Sequence, residues 1–160
     1  MNNHSLLGNH KPSQEYYTPG YIWNKVYSTF DTKDIFDPCP IKGVNGLEIS
    51  WKHNFVYTNP PTPAKLWAIK AIATIQEHKH VSIIFAAFSE SVLFQVPELL
   101  TYPTVIVRNR IPWIDGKTME PGKSPRNYNA FMCLSNKSSV ITRFKDNFQD
   151  LGFVGKMVKI

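Results

Sequence analysis

Long apolar runs are missing from this sequence of 160 residues, and none approaches the ~20 residues that a membrane-spanning helix needs. The opening stretch MNNHSLLGNHKPSQ sets no apolar core behind a basic end, so no secretory leader is read there and the cytoplasm is the expected compartment. Cysteine is scarce. Cys39 and Cys133 are the only two, and they form neither a zinc pattern nor a disulfide framework. The five histidines, His4, His10, His53, His78 and His80, have no helical ligand spacing, so no metal is expected. Charged residues make up 19% and hydrophobic residues 42% of the chain, a balance that excludes a disordered tail and a coiled coil. Internal repeats and low-complexity linkers are absent as well.

What remains is the composition of one folded domain. A chain of this length buries about 70% of the surface its unfolded form exposes, enough for a core without disulfides or metal. Residues 1–15, rich in Asn, His, Ser and Lys, are expected to form a flexible arm, and residues 16–160 the single domain. Lysine plus arginine number 18 against 12 aspartate plus glutamate, for a net charge of +6. That excess favours polyanionic partners without requiring one.

Strands and helices alternate along the first two thirds. After a break at Tyr16-Tyr17-Thr18-Pro19-Gly20, the stretch from Tyr21 to Phe30 repeats apolar residues at three and four and reads as a helix. Asp34-Ile35-Phe36 reads as a short strand, ended by Asp37-Pro38-Cys39-Pro40 because two prolines in three residues do not continue a central strand. Phe55 to Thr58 is a second strand, halted by Asn59-Pro60-Pro61. The helix that follows, from about Ala64 to Glu77, is apolar around most of its circumference, which predicts cover on more than one side. Val81 to Ala87 is a continuous apolar run of the kind buried in a parallel sheet. Ser89 is placed to cap a helix reaching about Leu100 and disturbed at Pro97. Thr104 to Val107 and Ala130 to Leu134 read as further strands, and residues 143–160 are amphipathic without a clear type. The pattern predicts an α/β domain with a mainly parallel sheet and an antiparallel edge contributed by the proline- and glycine-rich last third.

In open α/β sheets ligands gather outside the carboxyl ends of the strands. Two such ends carry unusual polar loops here, Asp37-Pro38-Cys39-Pro40 and Asn59-Pro60-Pro61-Thr62. An Asn followed by two prolines makes a rigid turn, in which the Asn side-chain oxygen and the first Pro carbonyl can both accept from one planar amino group. That grip holds both N–H bonds and directs the nitrogen lone pair at an electrophile. The plainer reading is a strand-ending turn before a helix.

Several elements come in a telling order: Tyr17-Thr18-Pro19 before a helix, Asp37-Pro38-Cys39-Pro40 after a first strand, Asn45-Gly46-Leu47 with Trp51, and Phe55-Val56-Tyr57-Thr58-Asn59-Pro60-Pro61 with Trp67 and Lys70-Ala71. Together they resemble the DNA adenine-N6 methyltransferases, most closely the small phage-type Dam family, in which the whole chain is one catalytic domain. Weaker matches follow at Arg108 to Trp113 and at Ser124 to Ser135, so the likeness covers about residues 16–135. The resemblance implies a Rossmann-like sheet with helices on both faces and methyl transfer from S-adenosyl-L-methionine to the N6 amino group of adenine in DNA. It also implies a phage, viral or prophage setting in the host-cell cytoplasm, with no metal in the site.

Residue by residue, the resemblance implies that Thr18 and Pro19 lie against the methionine part of the cofactor, with Tyr17 also in the cofactor site. Asp37 would accept from the cofactor's amino group or ribose, Cys39 would pack beside it, and Asn45 would sit near its adenine. Asn59 and Pro60, within a loop completed by Pro61 and Thr62, would grip the amino group of an adenine swung out of the duplex, since a stacked base is out of reach. Arg108, Arg110, Trp113, Lys117, Lys123 and Arg126, opposed only by Asp115 and Glu120, would meet phosphates and bases.

The chain departs from the family in two places. Thr62 stands where the family's loop ends in an aromatic ring that stacks on the flipped base, leaving Tyr57, Trp67 or Trp113 as stand-ins. The span from Pro40 to Asn45 is also short for a strand ending in an acidic ribose ligand. Pro38-Cys39 matches the nucleophile pair of cytosine-C5 methyltransferases, but their surrounding pattern is absent, and Cys39 reads as a small packing residue. Two alternatives stay open: a degenerate relative that binds DNA or a partner chain with little activity, and a methyltransferase acting on RNA or a protein amide. Homo-oligomer formation, or a partner subunit supplying a missing group, also stays open.

Overall fold

The computed structural model describes residues 16–39, 45–61, 63–87, 90–122 and 128–158. The expected arm at 1–15, Pro40, Thr62, Ser89, Lys123 and Arg126 lie outside the described residues. In chain order the elements are β1 (Tyr16–Tyr17), α1 (Gly20–Phe30), β2 (Phe55–Thr58), α2 (Lys65–Glu77), β3 (Ser82–Ala87) and α3 (Glu90–Gln95). There follow a 3-10 turn (Pro97–Thr101), β4 (Thr104–Val107), β5 (Ile114–Asp115), β6 (Ala130–Ser135), α4 (Ser138–Phe148), a second 3-10 turn (Gln149–Leu151) and β7 (Gly152–Gly155).

Five strands form one sheet in the order β2-β3-β6-β4-β7. β2 and β3 pair in parallel, and α2 between them completes a β-α-β unit. β6 is antiparallel to both β3 and β4, so β4 runs with β2 and β3 while β6 is inserted against them. β7, antiparallel to β4, closes the far side. The expected mainly parallel sheet with an antiparallel edge is therefore corrected to a mixed sheet, in which one strand pairing is parallel and three are antiparallel. β7 is at the edge, but β6 lies in the middle of the sheet. Its sequence AFMCLS is buried throughout, and a strand apolar on both faces suits a covered central position in either direction.

Alternation along the strands sends side chains to two cores. Val56, Ile83, Phe85, Ala87, Met132 and Leu134 face α2 and α3, with Trp67, Ala68, Ala71, Val92 and Leu99. Tyr57, Ile84, Ala86, Val105, Phe131 and Cys133 face α1 and α4, with Ile22, Val26, Phe30, Val140, Phe144 and Phe148. Helices thus cover both faces of the sheet. Each fully buried Phe or Ile of this kind contributes about 1.5–3 kcal/mol relative to exposure, which is why so short a chain holds two cores.

Three expectations are revised. The 34–36 strand is a single parallel bridge: the Phe36 amide donates to the Phe55 carbonyl (3.0 Å) and its carbonyl accepts from Tyr57 (3.1 Å), just beyond β2. α2 buries one face only, leaving Leu66 and Ile69 exposed, because the small Ala68 and Ala71 bring the opposite side close to the sheet. The helix after β3 stops at Gln95, and Pro97, which has no amide hydrogen to donate, opens a 3-10 turn instead. Of the undecided 143–160 region, the described residues include the end of α4, the second 3-10 turn and β7. Gly152 makes that strand possible, since a Cβ there would lie 1.9 Å from the Ile106 carbonyl oxygen.

Candidate functional site

The carboxyl ends of the parallel strands put Asp37, directly after Phe36, beside Asn59, directly after β2. Across this end lies a two-stranded ribbon in which β1 pairs antiparallel with β5, Tyr16 opposite Asp115 and Tyr17 opposite Ile114. The ribbon is tied to β2 at two points. Asn59 Nδ2 donates to the Tyr16 carbonyl at 3.3 Å, and Thr18 Oγ1 and the Tyr57 hydroxyl are hydrogen-bonded at 3.0 Å. Tyr17, Thr18, Asp37, Cys39 and Asn59 are thereby brought to one end of the sheet from segments far apart in sequence.

The contact at Tyr16 decides how the Asn59 amide is turned. A backbone carbonyl only accepts, so Nδ2 must face it and Oδ1 must point the other way. Oδ1 is buried and has no hydrogen-bond partner among the described residues. Leaving a buried acceptor unpaired costs about 1–3 kcal/mol, and a site built to take an amine is one setting in which that cost has a use. Pro60 beside it is buried, while Pro61 faces outward.

Asp37 is half-buried. Burial pushes its carboxyl up from the usual carboxylate range, partly opposed by the Cys39 amide, which donates to Oδ1 at 2.8 Å. Burial likewise pushes up the Tyr57 phenol, partly opposed by its hydrogen bond with Thr18. It pushes up the Cys39 thiol too, whose Sγ lies 3.2 Å from Thr58 Oγ1. A thiol held protonated by burial is no nucleophile, which leaves Cys39 a packing residue. Because the Asp37 carboxyl is raised on folding, the folded state holds its proton more tightly, and stability falls as pH rises through that window. Asp37→Asn keeps the acceptor for Cys39 and removes the buried charge. The expected result is a melting temperature a few degrees above wild type at pH 8, a gain that vanishes near pH 4, measured by thermal denaturation across pH.

Asn45 serves its own turn: Oδ1 accepts from the Leu47 amide at 3.1 Å and Nδ2 donates to Glu48 at 3.1 Å. The turn is exposed at Asn45 but presses Gly46 against the carbonyl of Pro38. Trp51 Nε1 donates to the Gly46 carbonyl at 2.8 Å, and Lys70 Nζ donates to Leu47 at 2.8 Å and to Ile49. This bracing through Trp51 and Lys70 gives the 45–51 segment a fixed seat beside the Asp37 loop.

The basic set divides. Arg108 and Arg110, just beyond the carboxyl end of β4, are exposed; their guanidinium groups lie 5.7 Å from the Phe153 ring centre and 5.3 Å from that of Tyr128. Lys117 is exposed in a tight turn whose backbone is held by Asp115, and the Lys117 and Thr118 amides lower the Asp115 carboxyl. Trp113 is not a surface residue. It is 5% exposed and packs 6.4 Å from Phe131 within the core, so its ring is closed to a base. Sequence reading passed over Asn129, which is buried and braces the arginine loop: its carbonyl accepts from Val107 (2.9 Å) and its Oδ1 from the Ile111 amide (3.4 Å).

Two surface hollows lie elsewhere, one of about 270 Å³ bordered by Asp34 and His53 and one of about 370 Å³ between α1 and the end of α4. Neither contains Asn59 or Asp37, and the convergence of tied polar groups at the carboxyl end is the stronger indication of a site. Among the described residues no three His, Cys, Asp or Glu side chains gather as metal ligands, and no helix is long and apolar enough to cross a membrane. The chain matches no family model, no curated protein and no solved structure.

Proposed function

We propose that this chain is an S-adenosylmethionine-dependent methyltransferase acting on the N6 amino group of adenine in DNA. The observation that carries the reading is the Asn59 amide, turned by the Tyr16 carbonyl so that Oδ1 is buried with no hydrogen-bond partner among the described residues. An exocyclic amine is a donor suited to it. Accepting its N–H bonds at Oδ1 and at the Pro60 carbonyl fixes the amino group in one plane and aims its lone pair out of that plane. Catalysis is then mainly alignment of donor and acceptor. When bound, the cofactor supplies the electrophilic methyl on a positively charged sulfur. The residues at this end of the sheet fit such a group: Asp37 offers a carboxylate to amine or hydroxyl donors, and Tyr17, Thr18 and Pro19 directly follow Tyr16, whose carbonyl accepts from Asn59, with Thr18 bonded to Tyr57.

Further support comes from the sheet, whose parallel strands end together at the site, and from the exposed Arg108, Arg110 and Lys117, whose charge suits a phosphate backbone. A single-domain Rossmann-like methyltransferase accounts for these features together. One observation favours the second reading, a relative with little activity. Tyr57, Trp67 and Trp113 are all buried, so none of them replaces the stacking ring absent at position 62.

The test is transfer of labelled methyl from S-adenosylmethionine to unmethylated duplex DNA with the product nucleosides resolved. Label in N6-methyladenine is the expected result. No label in DNA, at enzyme concentrations able to reveal a defect of about 150-fold, would discard the active DNA methylase. Label appearing in RNA or protein instead would move the substrate.

A further inference from the structure

We infer that Tyr16 supplies the aromatic surface against which the planar ring held at Asn59 stacks, an inference that rests on the methyl-transfer reading. A base drawn out of its stack gives up contact on both faces, and an aromatic side chain is the usual replacement. The internal rings are closed to it: Tyr57 is 0%, Trp113 5% and Trp67 7% exposed. Tyr16 is 44% exposed, and its own carbonyl lies 3.3 Å from Asn59 Nδ2. Its backbone is therefore fixed within a few ångströms of the acceptor that grips the amine.

Strand geometry adds to this. Successive side chains of β1 point to opposite faces, and Tyr17 is the more buried of the two. The outward place falls to Tyr16, held in register by pairing with Asp115, so little backbone freedom is lost when a ring stacks there. Among the described residues the other exposed rings are committed or lie on other elements. Tyr128 is covered by Arg110 at 5.3 Å, Tyr21 is on α1 and borders the hollow between that helix and the end of α4, Phe94 is on α3, and Phe153 is on the edge strand β7. One main-chain group thus sets the Asn59 amide while the side chain of the same residue forms a wall of the site.

The experiment measures DNA methyl transfer for wild type, Asn59→Ala and Tyr16 changed to Phe, Trp or Leu, with thermal melting of each. Leucine keeps the bulk and the strand conformation without the ring, so Tyr16→Leu should lose about five- to 150-fold in kcat/KM, the range for one base–aromatic stack converted to rate. Tyr16→Phe and Tyr16→Trp should stay close to wild type. Leucine as active as tyrosine overturns the inference and leaves the methyl-transfer reading standing. Phenylalanine as weak as leucine also overturns it, since the residue would then act through its hydroxyl or its strand. Transfer absent from wild type as well as from Asn59→Ala overturns the underlying reading, and this inference with it.

Discussion

Asn59→Ala is expected to lower methyl transfer by about a hundred- to a thousandfold, the scale on which removing one preorganised hydrogen-bonding group from a reacting centre acts. The same substitution should leave the melting temperature unchanged or raise it. Wild type carries the buried Oδ1 without a partner among the described residues, a situation that costs about 1–3 kcal/mol, and alanine removes that acceptor. What the fold loses is one long contact to the Tyr16 carbonyl. Activity and stability therefore move in opposite directions, a signature that a structural asparagine ending a strand does not produce. Asn59→Asp separates the two atoms of the amide. It retains an acceptor for the amine but sets an oxygen against the Tyr16 carbonyl, so it should lose less activity than alanine while loosening the β1–β5 ribbon. Initial rates on duplex DNA and thermal denaturation of the three proteins check both halves. Equal melting losses and equal rate losses would mark Asn59 as a turn residue only.

Much of the framework was legible in the sequence because it rests on local pattern. The apolar spacing from Tyr21 to Phe30, the run Val81 to Ala87 and the proline stop at 60 each state an element or its end, and α1, β2, β3, β4 and β6 stand where those patterns put them. Strand direction is not a local property. AFMCLS reads the same in a parallel or an antiparallel central strand, so the insertion of β6 between β3 and β4 had no sequence signal. Burial of single aromatics is equally non-local. Trp113 sits among Arg110, Lys117 and Asp115 in sequence, yet β5 turns it into the core beside Phe131. The polar loops at Asp37 and Asn59 were legible as candidates from composition alone. Their meeting with Tyr16 and Thr18 depends on the ribbon formed with residues 114–115, about a hundred positions away, which no short-range pattern announces.

Gly46→Ala is expected to be strongly damaging, although it adds one methyl group. A Cβ at this position would lie 2.0 Å from the Pro38 carbonyl oxygen and 2.7 Å from two atoms of the Trp67 ring. Neither neighbour can yield cheaply. Pro38 is buried backbone next to Asp37, and Trp67 is wedged beside Trp51 with ring centres 5.9 Å apart. Trp51 and Lys70 hold the glycine's own segment through its carbonyls, so the loop cannot simply lift away. Overpacking of a tight site costs about 1–3 kcal/mol and sometimes more, and this contact involves both backbone and ring. Urea denaturation should show a loss at the upper end of that range. Gly20→Ala is the matched control: it has nothing within 4 Å of the added methyl and sits at the start of α1, so it should be neutral or slightly stabilising. The relief available to Gly46→Ala is retreat of the Asp37-Pro38-Cys39 segment. Under the proposed function this should weaken S-adenosylmethionine binding, read by calorimetry at a temperature where the variant is still folded. Trp67→Leu in the same chain frees the ring contact but not the Pro38 clash. It should therefore restore part of the stability without restoring cofactor affinity, which separates damage to the core from displacement of the loop that carries Asp37.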